Sequence, residues 1–308
     1  MPAMKTLKSS WILLRQTKRE PLCRLTVMEN PNQTIGILAA AGDMPVILSK
    51  QLQAAGYSTH IIAIEKMADA VLPMADAVIR LGALKKIISS FHDVGCRHMI
   101  MTGKFIRPSL MQIRPDLTGA KLALKALSES DNNALQLISD FLAGYDIEMA
   151  DLQSLLPHIY ATAGVMAGKK PTKKQDASIQ KALTVLAALG DCDVGQAVVV
   201  QTDRILAIEA AEGTNAMISR ARQYQSLDLL PPIMVKTSKL GQNKRLDPPV
   251  IGTETLAIAA EHGITMIAIE AGGVILADRD QCLEEAKRLG ISLIGVSANI
   301  APSDGVKT

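Results

Sequence analysis

Aromatic residues are scarce in this chain, with one Trp, four Tyr and three Phe among 308 residues. Little is available to stack on bases, which argues against a platform for single-stranded nucleic acid. Cysteine is scarce too: Cys23, Cys96, Cys192 and Cys282 are far apart, without a CxxC pair or a Cys/His zinc spacing. They read as reduced thiols of a cytosolic protein rather than a disulfide framework or a metal cage. No apolar run approaches the roughly 20 residues that a bilayer-spanning helix needs. HExxH, a Walker P-loop and a GxSxG elbow are all missing, and His60, His92, His98, His158 and His262 are scattered. Each of these histidines is read as structural or superficial. Net charge is small as well. Of the formal +3, residues 1–33 contribute +4, so the remainder stands at −1 and lacks the basic face of a nucleic-acid binder.

A hydrophobic fraction of 48% against 20% charged residues describes a globular protein with a sizeable core. The length allows two domains. Residues 1–33 carry Lys5, Lys8, Arg15, Lys18, Arg19 and Arg24 around an apolar stretch at 11–14. They are read as an extension, expected to be disordered, in preference to a basic amphipathic helix on anionic lipid; a start at Met28 is the other form of that reading. From Thr34 strands and helices alternate: a buried strand over 34–39, a small-residue turn at 40–43, a helix opened by Pro45, and a second strand over 58–64. A short strand at 77–79, a helix over 83–92 and a strand over 97–101 continue the pattern. The fold class expected is α/β, beginning with a Rossmann-like, mostly parallel sheet over residues 34–163 whose ligands gather at the carboxyl ends of its strands. Ala40 and Ala41 stand where a dinucleotide fingerprint needs glycine, so a nicotinamide cofactor is not favoured, and Glu65 is read as a solvated strand end.

The loop after the strand at 97–101 holds Gly103, Lys104 and Arg107, which suits a phosphate and equally a solvated turn. Two helices are expected over 119–143, broken around a polar cluster at 128–133. The Gly-, Pro- and Lys-bearing stretch 164–175 has the composition of an interdomain linker, leaving 176–308 as a second, mixed α/β domain. That domain is expected to open with a helix over 176–189 and a hairpin turning at Thr202-Asp203. A helix at 253–261, strands near 265–268 and 274–276 with a Gly272-Gly273 turn between them, a helix at 280–289 and a last strand at 292–296 follow. Between the strand at 233–235 and the helix at 253 lies a loop with four cations, Lys236, Lys239, Lys244 and Arg245, around one carboxylate, Asp247. Lys and Arg neutralise phosphoryl oxygens, while a single Asp can hold Mg²⁺ or take a proton from water. A solvated basic loop has the same spacing.

Five ordered motifs carry a resemblance: Ile37 to Pro45, Gly103 to Pro108, Asp193 to Val199, Glu209 to Met217, and Gln242 to Gly252, which reads Gln…Arg-x-Asp-x-Pro-x-x-Gly. With these the chain resembles, from about Thr34 to Val296, the UDP-2,3-diacylglucosamine pyrophosphatases of lipid A biosynthesis that are unrelated to the metallophosphoesterase type. The resemblance implies two α/β domains joined by a linker, with substrate held between them, and a Mg²⁺-dependent hydrolase that yields UMP and 2,3-diacylglucosamine 1-phosphate, known as lipid X. Asp247 matches the catalytic aspartate and is the expected metal ligand. Gly42, Asp43, Lys104, Arg107, Asn132, Asn133, Gln196, Thr214, Asn215, Lys236, Gln242 and Arg245 are the expected substrate-binding residues. The expected setting is cytoplasmic, with peripheral contact at the inner membrane through the lipid substrate. No nucleic acid is expected, and a homodimer is among the partners the reading allows.

The chain departs from the family pattern at Ala40-Ala41-Gly42, where a glycine-rich turn is usual, and at Asn132, Asn133 and Asn215, where acids are usual. An amide keeps an oxygen ligand but removes charge. These asparagines motivate a second reading, a binding protein for UDP-sugar lipid that does not cut it.

Overall fold

The computed structural model describes residues 33–105, 131–190, 192, 194–239 and 248–298. β1 (Thr34–Ala39) is apolar on both faces after its first residue, as a strand covered on both sides must be. α1 (Met44–Ala54) starts with Pro45 in its first turn, where the missing N–H costs nothing. β2 (Ser58–Ile64), β3 (Ala77–Ile79), α2 (Leu84–Asp93), β4 (His98–Thr102), α3 (Asp131–Ala143) and β5 (Glu148–Met149) follow. The five strands form one parallel sheet in the order β3-β2-β1-β4-β5. The chain leaves β1 toward β2 on one side and returns to β4 on the other, so a crevice opens outside the carboxyl ends of β1 and β4. The one-turn helix α4 (Leu152–Leu155) and a 3₁₀ turn at Pro157–Ile159 close this half.

The stretch 164–175, expected as a linker, is part of the second sheet instead. β6 (Gly164–Ala167) runs antiparallel to the last strand, and α5 (Lys173–Gly190) begins within the same stretch. As an edge strand, β6 buries only Ala167 fully, with Met166 half-buried against the same core, so its composition is close to that of a solvated segment. β7 (Ala197–Gln201) and β8 (Arg204–Ile208) form the expected hairpin. α6 (Thr214–Ala221), β9 (Ile233–Lys236), β10 (Val250–Ile251), α7 (Thr253–Glu261), β11 (Met266–Glu270), β12 (Ile275–Leu276), α8 (Arg279–Arg288) and β13 (Ser292–Val296) complete the chain. The second sheet is mixed, ordered β6-β13-β11-β9-β7-β8, with β9, β11 and β13 parallel. Gly272-Gly273 makes a turn, as expected. It does not fold β12 back on β11, because β12 pairs with β10 in a separate two-stranded sheet.

That small sheet lies between two cores. Ile275 and the half-buried Val250 pack with the apolar residues of β1, β2 and β4, whereas Ile251, Val274 and Leu276 pack with those of β9, β11 and β13. Among the described residues no helix is long and apolar enough to cross a membrane.

Candidate active site

Two sets of polar residues collect at the carboxyl ends of parallel strands, one in each half. In the first, the turns after β1 and β4 are laced together: Ala40 N–H donates to Thr102 O (2.9 Å) and Lys104 N–H to Ala41 O (2.8 Å). Gly103 permits this closeness. Its φ is +93°, and a Cβ there would lie 2.7 Å from Ala41 O. The lacing brings Gly42, Asp43 and Lys104 together in the crevice, all exposed. Asp43 sits at the N-terminus of α1 without capping it through its side chain. Its own charge occupies the place that a phosphate would prefer, so this end of the crevice suits hydroxyl or N–H groups better than an anion. Asn132 and Asn133 fall in the first turn of α3, and Arg107 lies outside the described residues.

In the second half the polar groups are buried. Lys236 ends β9 with its neighbours fixed by strand register: Ala197 of β7 on one side, Ile269 of β11 on the other. Lys236 is 7% exposed, Glu209 8% and Glu270 6%, so each charge must be met by hydrogen bonds. The Lys236 ammonium donates to Thr214 Oγ1 (2.8 Å), and the Thr214 hydroxyl donates to Glu209 Oε1 (2.6 Å). Glu209 Oε2 accepts the backbone N–H of Gln196 (3.0 Å), whose carbonyl in turn accepts from Thr237 N–H (2.9 Å). Glu270, ending β11, accepts from both the N–H and the hydroxyl of Ser238 through Oε2. Among the described residues, side-chain Oε1 of Gln196 is buried with no partner. Asn215 Oδ1 accepts from the Thr255 hydroxyl (2.9 Å), tying α6 to α7. An amide serves this bridge without any need for the acid that is usual at that position.

The structure thus gathers Gln196, Thr214, Asn215 and Lys236 in one place, and Gly42, Asp43 and Lys104 in another. Gln242, Arg245 and Asp247 lie outside the described residues, but the chain on either side of 240–247 is held. Ser238 is clamped by Glu270, and Pro249 O accepts from Ile275 N–H (2.8 Å). Glu209, Ser238 and Glu270 were not among the residues expected from sequence. The available signal was an acid ending an apolar run, repeated at Ile208-Glu209 and Ile269-Glu270. Among the described residues no three carboxylate, imidazole or thiol groups converge as a metal cage. The two buried carboxylates, Glu209 and Glu270, are both engaged by protein donors.

Residues 34–159 match the family model of the LpxI N-terminal domain, and residues 162–294 that of the LpxI C-terminal domain. The chain belongs to the LpxI family. A relative, the UDP-2,3-diacylglucosamine pyrophosphatase LpxI of Caulobacter vibrioides, is 29% identical over 279 residues, covering 87% of this chain and 99% of its own. The junction between the two LpxI domains falls at residues 160–161. There the side chain of Tyr160 enters the first core and that of Ala161 the second.

Proposed function

We propose that this LpxI-family chain hydrolyses the pyrophosphate of UDP-2,3-diacylglucosamine to UMP and 2,3-diacylglucosamine 1-phosphate, a step of lipid A biosynthesis. The observation carrying the reading is the buried ammonium of Lys236, held at the carboxyl end of β9 by Thr214 in the domain that matches the LpxI C-terminal model. In the reaction water adds to a phosphorus, one bridging P–O bond breaks, and negative charge grows on phosphoryl oxygens. A preorganised, desolvated ammonium stabilises that charge far better than a solvated one. Gln242 and Arg245 are assigned to the same phosphates and Asp247 to the attacking water or the metal, on the strength of the signature at 242–252. Gly42, Asp43 and Lys104 are assigned to the nucleoside end, where Asp43 can accept from ribose hydroxyls.

Mg²⁺ is the proposed cofactor, and what it supplies when bound is charge neutralisation on the pyrophosphate. The two acyl chains of the substrate would bring the enzyme to the cytoplasmic face of the inner membrane without an anchor of its own.

The test is UMP release from UDP-2,3-diacylglucosamine by the purified protein, with Mg²⁺ and then with EDTA. Metal-dependent UMP supports the reading. A folded protein that binds the substrate and releases none would overturn it in favour of a non-catalytic binder. Asp247→Ala is expected to keep substrate binding and lose at least about a hundredfold in turnover.

A further inference from the structure

Glu209 is joined to Lys236 only through the Thr214 hydroxyl in the contacts described above, and that bonding has only one direction. An ammonium can only donate and a carboxylate can only accept, so the Thr214 hydroxyl between them must accept from Lys236 and donate to Glu209. The second carboxylate oxygen is held by the Gln196 N–H, so the acid itself cannot swing. Both ends of the chain are buried, which makes the arrangement costly unless complete. Thr214 is also the first residue of α6, so the backbone that carries the hydroxyl is fixed by the helix.

The geometry points to Glu209 as the positioning residue for Lys236: through the Thr214 hydroxyl it fixes the ammonium where the phosphoryl charge is met. This rests on the function proposed above, in which Lys236 stabilises that charge. Glu209 itself touches no reacting atom. The hydroxyl is the element that matters at position 214, so serine should replace threonine and valine should not.

The experiment is steady-state UMP release, with kcat and KM measured separately, for wild type, Glu209→Gln, Thr214→Ser, Thr214→Val and the Glu209→Gln/Thr214→Val double variant. Expected is a kcat lower by about tenfold or more in Glu209→Gln and in Thr214→Val, with KM changed by less than about threefold. Thr214→Ser should stay within about threefold of wild type, and the double variant should be little worse than either single one. Wild-type kcat in Glu209→Gln, losses that fall on KM alone, or losses that multiply in the double variant would each overturn the positioning role. Circular dichroism and thermal melts accompany each variant. If Glu209→Gln fails to fold, Thr214→Ser against Thr214→Val decides: equal rates overturn the proposal, and rescue by serine alone upholds it. A wild-type protein that releases no UMP overturns the function and this inference together, whereas an active wild type with an unimpaired Glu209→Gln overturns the inference alone.

Discussion

Cys282 lies on α8 with its Sγ 2.9 Å from Ala277 O, and burial, reinforced by the charge of Asp278, pushes its thiol up to about 12. Burial likewise raises Cys96 to about 11, against two backbone hydrogen bonds that oppose it. Thiolate is the reactive form, so both should be inert in the folded protein, whereas Cys192 is exposed. In a Cys23→Ser variant a disulfide reagent at pH 8 should titrate one thiol quickly and two more only after denaturation. A second fast equivalent would contradict the burial. His98 shows the opposite shift for the same reason. Burial, only partly offset by Glu148, holds its imidazolium below its ordinary value of 6.5, and Nδ1 accepts from the Gln33 amide at 2.9 Å. Because the folded pKa is the lower one, the unfolded chain takes up the proton first as pH falls through about 6.5, and stability declines from there. Urea midpoints at pH 7.5 and pH 5.5 should therefore differ more in wild type than in His98→Asn.

At the scale of single elements, the turns after β1 and β4 decide whether the first crevice exists. Gly103→Ala places a Cβ against Ala41 O in a conformation that L-residues avoid, and is expected to cost on the order of 1–3 kcal/mol in a urea melt. Gly42 has a similar φ of +94° but nothing within 4 Å of a Cβ, so Gly42→Ala should cost less. Equal costs would mean that the lacing of the turns contributes nothing. The elements around these turns were legible because their periodicity is local: β1, β2 and β4 are short apolar runs, and α1 announces itself by Pro45. β6 was not, because an edge strand with one fully buried residue and lysines beyond it has the composition of a linker. The pairing of β10 with β12 was hidden as well, since two-residue strands carry no period and their register joins Val250 to Ile275 across an intervening helix and strand. Thr214 stood in a motif and Lys236 in the cationic loop, but Glu209 as the acid joined to Lys236 through Thr214 is a fact of tertiary structure, five positions along the chain from Thr214 and 27 from Lys236.

For the whole molecule the decisive feature is that the two halves share a layer. Side chains alternate along a strand, so one short strand can face two cores. Ile275, 1% exposed, serves the first, and Leu276, fully buried, serves the second. Tyr160 bridges to Ile275 from the chain that connects the halves, and Ala161 N–H donates to Val274 O (2.9 Å). The segment that leads out of 240–247 enters this same layer through Pro249 and Val250, so the stem next to Asp247 is braced against both domains at once. Truncating Ile275 to alanine should therefore cost about 2–5 kcal/mol, and the loss should be felt in the half of the chain to which Ile275 does not belong by sequence. Hydrogen exchange reads this directly: Ile275→Ala is expected to speed exchange in β1 and β2, and Leu276→Ala in β9 and β11. If both variants loosen only the second sheet, the shared layer does not couple the domains. If Ile275→Ala also lowers UMP release while leaving β9 and β11 protected, the brace on the 248–250 stem supports the role proposed for Asp247.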